Sequence, residues 1–175
     1  MAYIKIDNNI VVNKRPNYQD GYMQVDDSII CGMIQNPDGT FSVPQPSLAE
    51  AKRKKCTEID AERDRRQSLP LEYTFPDGQI GHIQRRNQKD ERNIQAVDAA
   101  AKTLVLEENT TDTVHFTDQE NVKHLLTGPE GMAFGIFVFN DYARLQSAAR
   151  THKDNVNALA KVEDVQNYDY SGDWE

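Results

Sequence analysis

From Gly131 to Leu159, apolar and small residues recur at alternating steps of four and three: Gly131, Gly135, Val138, Tyr142, Leu145, Ala149, His152, Val156 and Leu159. Such spacing gathers them on one side of a helix for about four heptads, as in a seam that faces another helix. It predicts a helix over about 130–160, opened by Thr127 or by the Gly128-Pro129 step, because proline is tolerated in a first helical turn. Phe139 widens the apolar side. So long a helix needs a covering surface, and the rest of the chain offers little apolar material for one. Of 175 residues, 38% are hydrophobic and 27% charged. Mean hydropathy is -0.74, against an ordinary apolar share of about 45–50%. The reading therefore expects the core to be completed by another subunit, with Val138, Tyr142, Leu145, Ala149, Val156 and Leu159 forming an oligomer interface.

The fold class expected is α+β: a small β-rich N-terminal module over 1–46, then a mainly helical domain over 47–175 with hairpins near 71–84 and 114–126. In the first module, Ile4 and Ile6 alternate with polar neighbours, Asn8-Asn9 suits a tight turn, and Ile10 to Val12 supply a return strand. Tyr22–Val25, Ile29–Ile34 and Phe41–Val43 read as further short strands, with Asn36-Pro37-Asp38-Gly39 as a turn. Strands this short leave open edges. Ile4, Ile6, Ile10 and Val12 are the partner-binding residues expected on such edges.

Pro44 and Pro46 end the β pattern, and Ser47 with Glu50 reads as a capping box opening a highly charged helix to Ser68. Leu71–Phe75 and Ile80–Ile83 flank Pro76-Asp77-Gly78 as a hairpin. Ile94, Val97, Ala101 and Leu104 mark a helix over 90–106, and Val114–Phe116 with Val122–Leu126 mark a third hairpin. Basic charge gathers in 47–66, where it can lie against acidic surface of the same or a neighbouring copy. The stretch 161–175 is acidic, and Tyr168, Tyr170 and Trp174 read as anchors that dock it.

Several function classes find no support. A net charge of -8 opposes coating of nucleic acid or of an anionic membrane. The longest apolar run, Met132–Phe139, is far short of the roughly 20 residues of a membrane span, and the first residues lack the pattern of a signal peptide. Cys31 and Cys56 read as free thiols. His82, His115, His124 and His152 stand in no metal-ligand spacing, and Asp169–Glu175 resembles a calcium loop only loosely. Lys52–Lys55 reads as a solvated helix face. There is no nucleophile elbow, phosphate-binding loop or dinucleotide fingerprint, so no catalytic residue, metal or cofactor is expected, and the chain reads as no enzyme.

The order of elements over 47–160, with Ala61-Glu62-Arg63, Phe75-Pro76-Asp77-Gly78, Gln84, Arg86, Asp90, Asn93-Ile94-Gln95 and Tyr142 through Ala149, resembles a domain of unknown function. That domain recurs at the C-terminus of tailed-bacteriophage tail and tail-fibre-associated proteins. The resemblance covers about two thirds of the chain, and residues 1–46 are loosely similar to the β-rich leaders of phage tail proteins. It implies a non-enzymatic structural component of a phage tail, at the baseplate or a tail-fibre attachment, located in the virion and made in the host cytoplasm. Its partners would be other tail proteins and further copies of itself, with no nucleic acid, membrane or small-molecule substrate. The alternative is a tail-fibre assembly chaperone absent from the mature virion.

Overall fold

The computed structural model describes residues 1–174 and divides into two compact units, Met1–Ser47 and Leu48–Glu175. The protein is α+β. In the first unit, β1 (Ala2–Asp7), β2 (Ile10–Arg15), β3 (Met23–Val25), β4 (Ile34–Gln35) and β5 (Phe41–Ser42) form one sheet in the order β3-β1-β2-β4-β5. Asn8 (φ 50) and Asn9 (φ 63) both take the left-handed backbone that a two-residue β1–β2 turn requires. A register shift between Lys5 and Ile6 moves the pairing from Lys5↔Asn13 to Ile6↔Val11. Ala2, Ile4 and Val11 are the buried hydrophobic residues of this unit, so its core is thin.

The strand expected over Ile29–Ile34 shrinks to Ile34–Gln35. Gly32 (φ +91) turns the chain, and its backbone N–H is instead donated to the Val11 carbonyl at 2.8 Å. The sheet order also corrects the partner-binding expectation. β1 and β2 are inner strands and the edges are β3 and β5. Ile4 is fully buried and Ile6 half-buried; only Ile10 and Val12 face solvent substantially.

The second unit runs α1 (Leu48–Ser68), β6 (Leu71–Thr74), β7 (Ile80–Ile83), α2 (Gln88–Leu106), β8 (Val114–Thr117), β9 (Lys123–Leu126), α3 (Gly128–Ala158) and α4 (Val162–Gln166). α1 buries only Ala51 and Ile59. Much of its charge is satisfied along its own surface: Arg65 and Arg66 both bond the Glu62 carboxylate and hold it down at about 2. α2 starts at Asn87, whose side-chain oxygen accepts the Lys89 and Asp90 backbone N–H groups. At the start of α3, the Glu130 carboxylate accepts both the backbone N–H and the hydroxyl of Thr127, each at 2.8 Å. Gly131 lets α3 lie against α2, since a Cβ there would meet the Ala101 Cβ at 2.6 Å.

α3 serves two cores. Along its first half, Phe134 and Val138 pack with Phe75 and Ile83 of the first hairpin, Ile94 and Val97 of α2, and Phe116 and Leu126 of the second hairpin. Along its second half, Leu145, Ala149 and Val156 pack with Ala51 and Ile59 of α1, Val165 of α4, and Trp174. The aromatic anchors expected in the acidic stretch are docked: Trp174 is 1% exposed and donates its indole N–H to the Tyr170 carbonyl at 2.6 Å, while Tyr168 meets His152 Nδ1 at 3.0 Å. The basic charge of α1 lies against this same chain. Lys52 bonds the Asn157 carbonyl, Lys55 the Gln166 carbonyl and Arg66 the Ser171 carbonyl. Lys52 and Lys55 are therefore tethered, and only Arg53 and Lys54 of that run are the solvated face expected.

The two hairpins share one turn design. In each, a three-residue loop ends on a left-handed residue, Gly78 (φ 80) or Asn121 (φ 62). The loop is closed by a pair of backbone bonds, Phe75 N–H to Gln79 O with Gly78 N–H to Phe75 O, and Asp118 N–H to Val122 O with Asn121 N–H to Asp118 O. They latch together: Gln119 N–H donates to His82 O at 2.9 Å, and Glu120 bonds both the backbone N–H and Nδ1 of His82. Gly81 leaves room for the latch, because a Cβ there would come within 2.4 Å of Asp118 Oδ2. Gly81→Ala should cost about 1–3 kcal/mol, read as a lower urea midpoint at unchanged slope.

Candidate interaction surface

The residues expected to meet another subunit are placed mostly inside the chain's own cores. Val138 (2% exposed), Leu145 (3%), Ala149 (1%) and Val156 (0%) are buried, and Tyr142 and Leu159 are partly buried against the same clusters. Heptad spacing reports that a helix face is covered, not which chain covers it. Here α2, α1, α4 and the segment reaching Trp174 supply the cover. The seam is intramolecular, and the oligomer interface assigned to it is corrected accordingly.

What α3 leaves open is its opposite side. Met132, Ile136, Phe139 and Ala143 step by 4, 3 and 4 along the face turned away from Phe134 and Val138. Ile136 is 55% exposed and Phe139 69% exposed. No charged residue interrupts 131–140. On one flank Phe137 leans against the Tyr73 ring, centroids 4.9 Å apart. On the other, Phe139 borders a groove of about 400 Å³ between α2 and α3, whose walls include Ile94, Gln95, Asp98 and Gln146. Surface apolar residues are ordinary singly; a contiguous stripe on a helix is the mark of a contact surface.

On the core side of α3, Asp141 and Tyr142 are tied to Arg85. Arg85, 5% exposed, donates Nε and Nη2 to the Leu69 carbonyl, pairs through Nη1 with Asp141, and lies 5.3 Å from the centre of the Tyr142 ring. Asp141 also accepts from Arg144 at 2.5 Å. Burial alone would raise the Asp141 carboxyl, but the two guanidinium groups outweigh it and hold it below the ordinary carboxylate range.

The remaining polar clusters are structural locks. His124 is 1% exposed and stacks on Phe75 with centroids 3.5 Å apart; Nδ1 lies 3.0 Å from Asp77 and Nε2 3.1 Å from Asp118. Burial pushes the imidazole pKa down, yet the hydrogen bonds and charges of Asp118 and Asp77 prevail and hold it above its ordinary value. Asp118 is likewise buried, and its bonds to His124 and the Val122 N–H keep it below the usual range. Both ring nitrogens are occupied by carboxylates within the fold, which leaves His124 no free nitrogen for a metal or a substrate. His152 is spent on Tyr168 and the Gly172 carbonyl. Among the described residues no three His, Cys, Asp or Glu side chains converge as metal ligands. Glu175, at the end of the loosely calcium-like segment, lies outside the described residues. Cys31 and Cys56 are free thiols, and burial pushes Cys56 up, away from a reactive thiolate.

The outward stripe had a signal in the sequence: residues 131–139 are apolar or small around the whole helix, which a helix covered on one side does not need.

Residues 50–172 match the family model described as a domain of unknown function, DUF4376. The chain belongs to this family. The match begins within α1 and runs past α4 to Gly172, so the DUF4376 domain contains the first core, all of the second except Leu48 and Trp174, and the outward stripe of α3, while the five-stranded sheet lies before it. No curated protein and no solved structure matches the chain.

Proposed function

We propose that the protein is a non-enzymatic structural component of a bacteriophage tail, at the baseplate or a tail-fibre attachment, that works by protein–protein packing. The observation that carries the packing part is the uncharged stripe of Met132, Ile136, Phe139 and Ala143, held on a helix whose other side is anchored in two cores. A rigid apolar face is suited to a partner that covers it, because burying it removes apolar area from water at about 25 cal/mol per Å². The phage setting is supported by the resemblance of residues 47–160 to domains of tail and tail-fibre-associated proteins. In this reading the partners are other tail proteins and copies of the chain itself, and the protein resides in the virion after synthesis in the host cytoplasm.

Mass spectrometry of purified particles from a lysate expressing the gene tests the proposal. The protein should be found at a constant ratio to the other tail proteins. Abundance in infected cells with absence from particles would point instead to a chaperone that leaves before maturation. Phe139→Asp isolates the stripe. Because Phe139 is exposed, the unfolding free energy should stay within about 0.5 kcal/mol of the parent, while the amount carried into particles should fall. Unchanged incorporation would remove the stripe from the account.

A further inference from the structure

Of the four strand edges in the two hairpins of the helical unit, that of β7 is capped by the Gln119 and Glu120 latch, whereas that of β8 is open. The closing bond between Asp118 and Val122 sets the alternation of the β8–β9 ladder, so Phe116 and Val114 bond across to His124 and Leu126. The N–H and C=O groups of His115 and Thr117 then point away from β9. Beside this edge runs a trough of about 560 Å³, floored on its far side by Asn93, Ala96 and Ala100 of α2 and continuing along Thr103 to Thr111 and Asp112. The exposed side of α2 there, Ala96, Ala99, Ala100 and Thr103, is built of small side chains that let another backbone approach.

The trough mixes apolar and polar lining, Ala96, Val97, Ala100 and Val114 beside Asn93, Thr113 and Thr117, and charge enters at its two ends. The lining passes from Asn93 beside the Thr117 end to Thr103 and Leu104 beside the Thr111 end, so α2 runs opposite to β8. Its basic start, Lys89 and Arg92, lies toward Thr117, which pairs with Lys123, while its acidic end, Glu107, and the following Glu108 lie toward Thr111 and the lining residue Asp112. All six are exposed, and none makes an ion pair among the described residues. An edge strand flanked by opposite exposed charges beyond its two ends is complementary to itself when turned end for end.

We infer that β8 pairs with β8 of a second copy, antiparallel about a two-fold axis at His115. Thr113 then faces Thr117 of the second copy and His115 faces His115, so that the outward backbone groups meet one another. The acidic end of each trough lies on the basic end of the other, and the alanine faces of the two α2 helices come together beneath a four-stranded sheet. This is an isologous contact of edge pairing, which removes two exposed edges at once. It names the copy-to-copy surface of the reading above without needing its phage setting, and it leaves the α3 stripe free for a different partner.

Sedimentation of the full chain across a concentration series tests it. The parent should show a monomer–dimer equilibrium that weakens as salt is raised, since the end charges are exposed and screened. His115→Pro removes an outward N–H that the β8–β9 ladder does not use, and should weaken the dimer about tenfold or more while the circular dichroism spectrum is kept. Lys89→Glu with Arg92→Glu should do the same, and adding Glu107→Lys with Glu108→Lys should restore association. A chain that stays monomeric, even one that binds another extended peptide at this edge, would overturn the inference. So would a dimer indifferent to both sets of changes, or one lost only with Phe139→Asp. Absence from phage particles would overturn the proposed function and leave this dimer standing.

Discussion

Leu145→Asp should leave no folded helical unit at all, rather than a folded monomer that fails to assemble. Leu145 is 3% exposed and sits among Ala51, Ile59, Ala149, Val156, Val165 and Trp174. Removing a buried leucine side chain costs about 2–5 kcal/mol. A carboxylate put in its place is surrounded by the apolar side chains of that cluster, so it loses its hydration or takes up a proton, at a further cost of several kcal/mol. Against a total stability of about 5–15 kcal/mol for a domain of this size, the sum removes most or all of it. Circular dichroism and one-dimensional NMR at micromolar concentration would show loss of helix and of dispersed methyl signals. Lys54→Glu, on the solvated side of α1, should stay within about 0.5 kcal/mol of the parent. A well-folded Leu145→Asp monomer would mean that the second core is not where α3 is held.

The second large effect is at His124. His124→Leu leaves Asp118, whose side chain is 2% exposed, facing an apolar group in place of its imidazolium partner. Breaking a buried pair from one side costs about 3–5 kcal/mol, and urea unfolding at pH 6 would show it. Adding Asp118→Asn should recover part of the loss, because the remaining charge is gone and the two changes share one interaction.

The same cluster gives the protein a pH profile. The folded pKa of His124 lies above its ordinary 6.5, so its stabilisation is complete below 6.5 and is lost as pH rises through the raised value. Asp118 and Asp77 lie below their ordinary 3.8, so theirs is complete above 3.8 and is lost as pH falls through the lowered values. The cluster therefore supports the fold most between about pH 4 and 6.5. The fall on the alkaline side belongs to His124 and should be absent in His124→Leu, whereas Asp77 and Asp118 keep their bonds from the Gln79 and Val122 backbone N–H groups. Parallel urea midpoints for the two proteins from pH 5.5 to 8.5 would show that His124 carries no proton-linked stability.

Local chemistry made much of this fold readable. Asn8-Asn9, Pro76-Asp77-Gly78 and the apolar steps Ile94, Val97 and Ala101 each specify their own turn or face, and those elements stand where they are expected. The 4-3 seam of α3 also exists, but its cover could not be identified from spacing, since a heptad pattern is the same whether the facing helix belongs to this chain or to another. The cover comes in part from α1, which buries only Ala51 and Ile59 and therefore reads as a solvated helix. Ile29–Ile34 shows the opposite limit: a good apolar run was interrupted by one glycine with a positive φ. The outward stripe was legible only as an excess of apolar residues over 131–139, and its members were not, for a related reason. Ile136 and Phe139 sit in the same run as Phe134 and Val138, and only the direction of the core tells which of them is left outside.

The ties between α1 and the segment that follows α3 have a mechanical consequence. Lys52 holds Asn157, Lys55 holds Gln166 and Arg66 holds Ser171, so both partners advance in the same direction. Tension applied at Leu48 and at Trp174 would load these ties together in shear instead of peeling them singly. A protein gripped at those two points would resist stretching until the whole row gave way in one step.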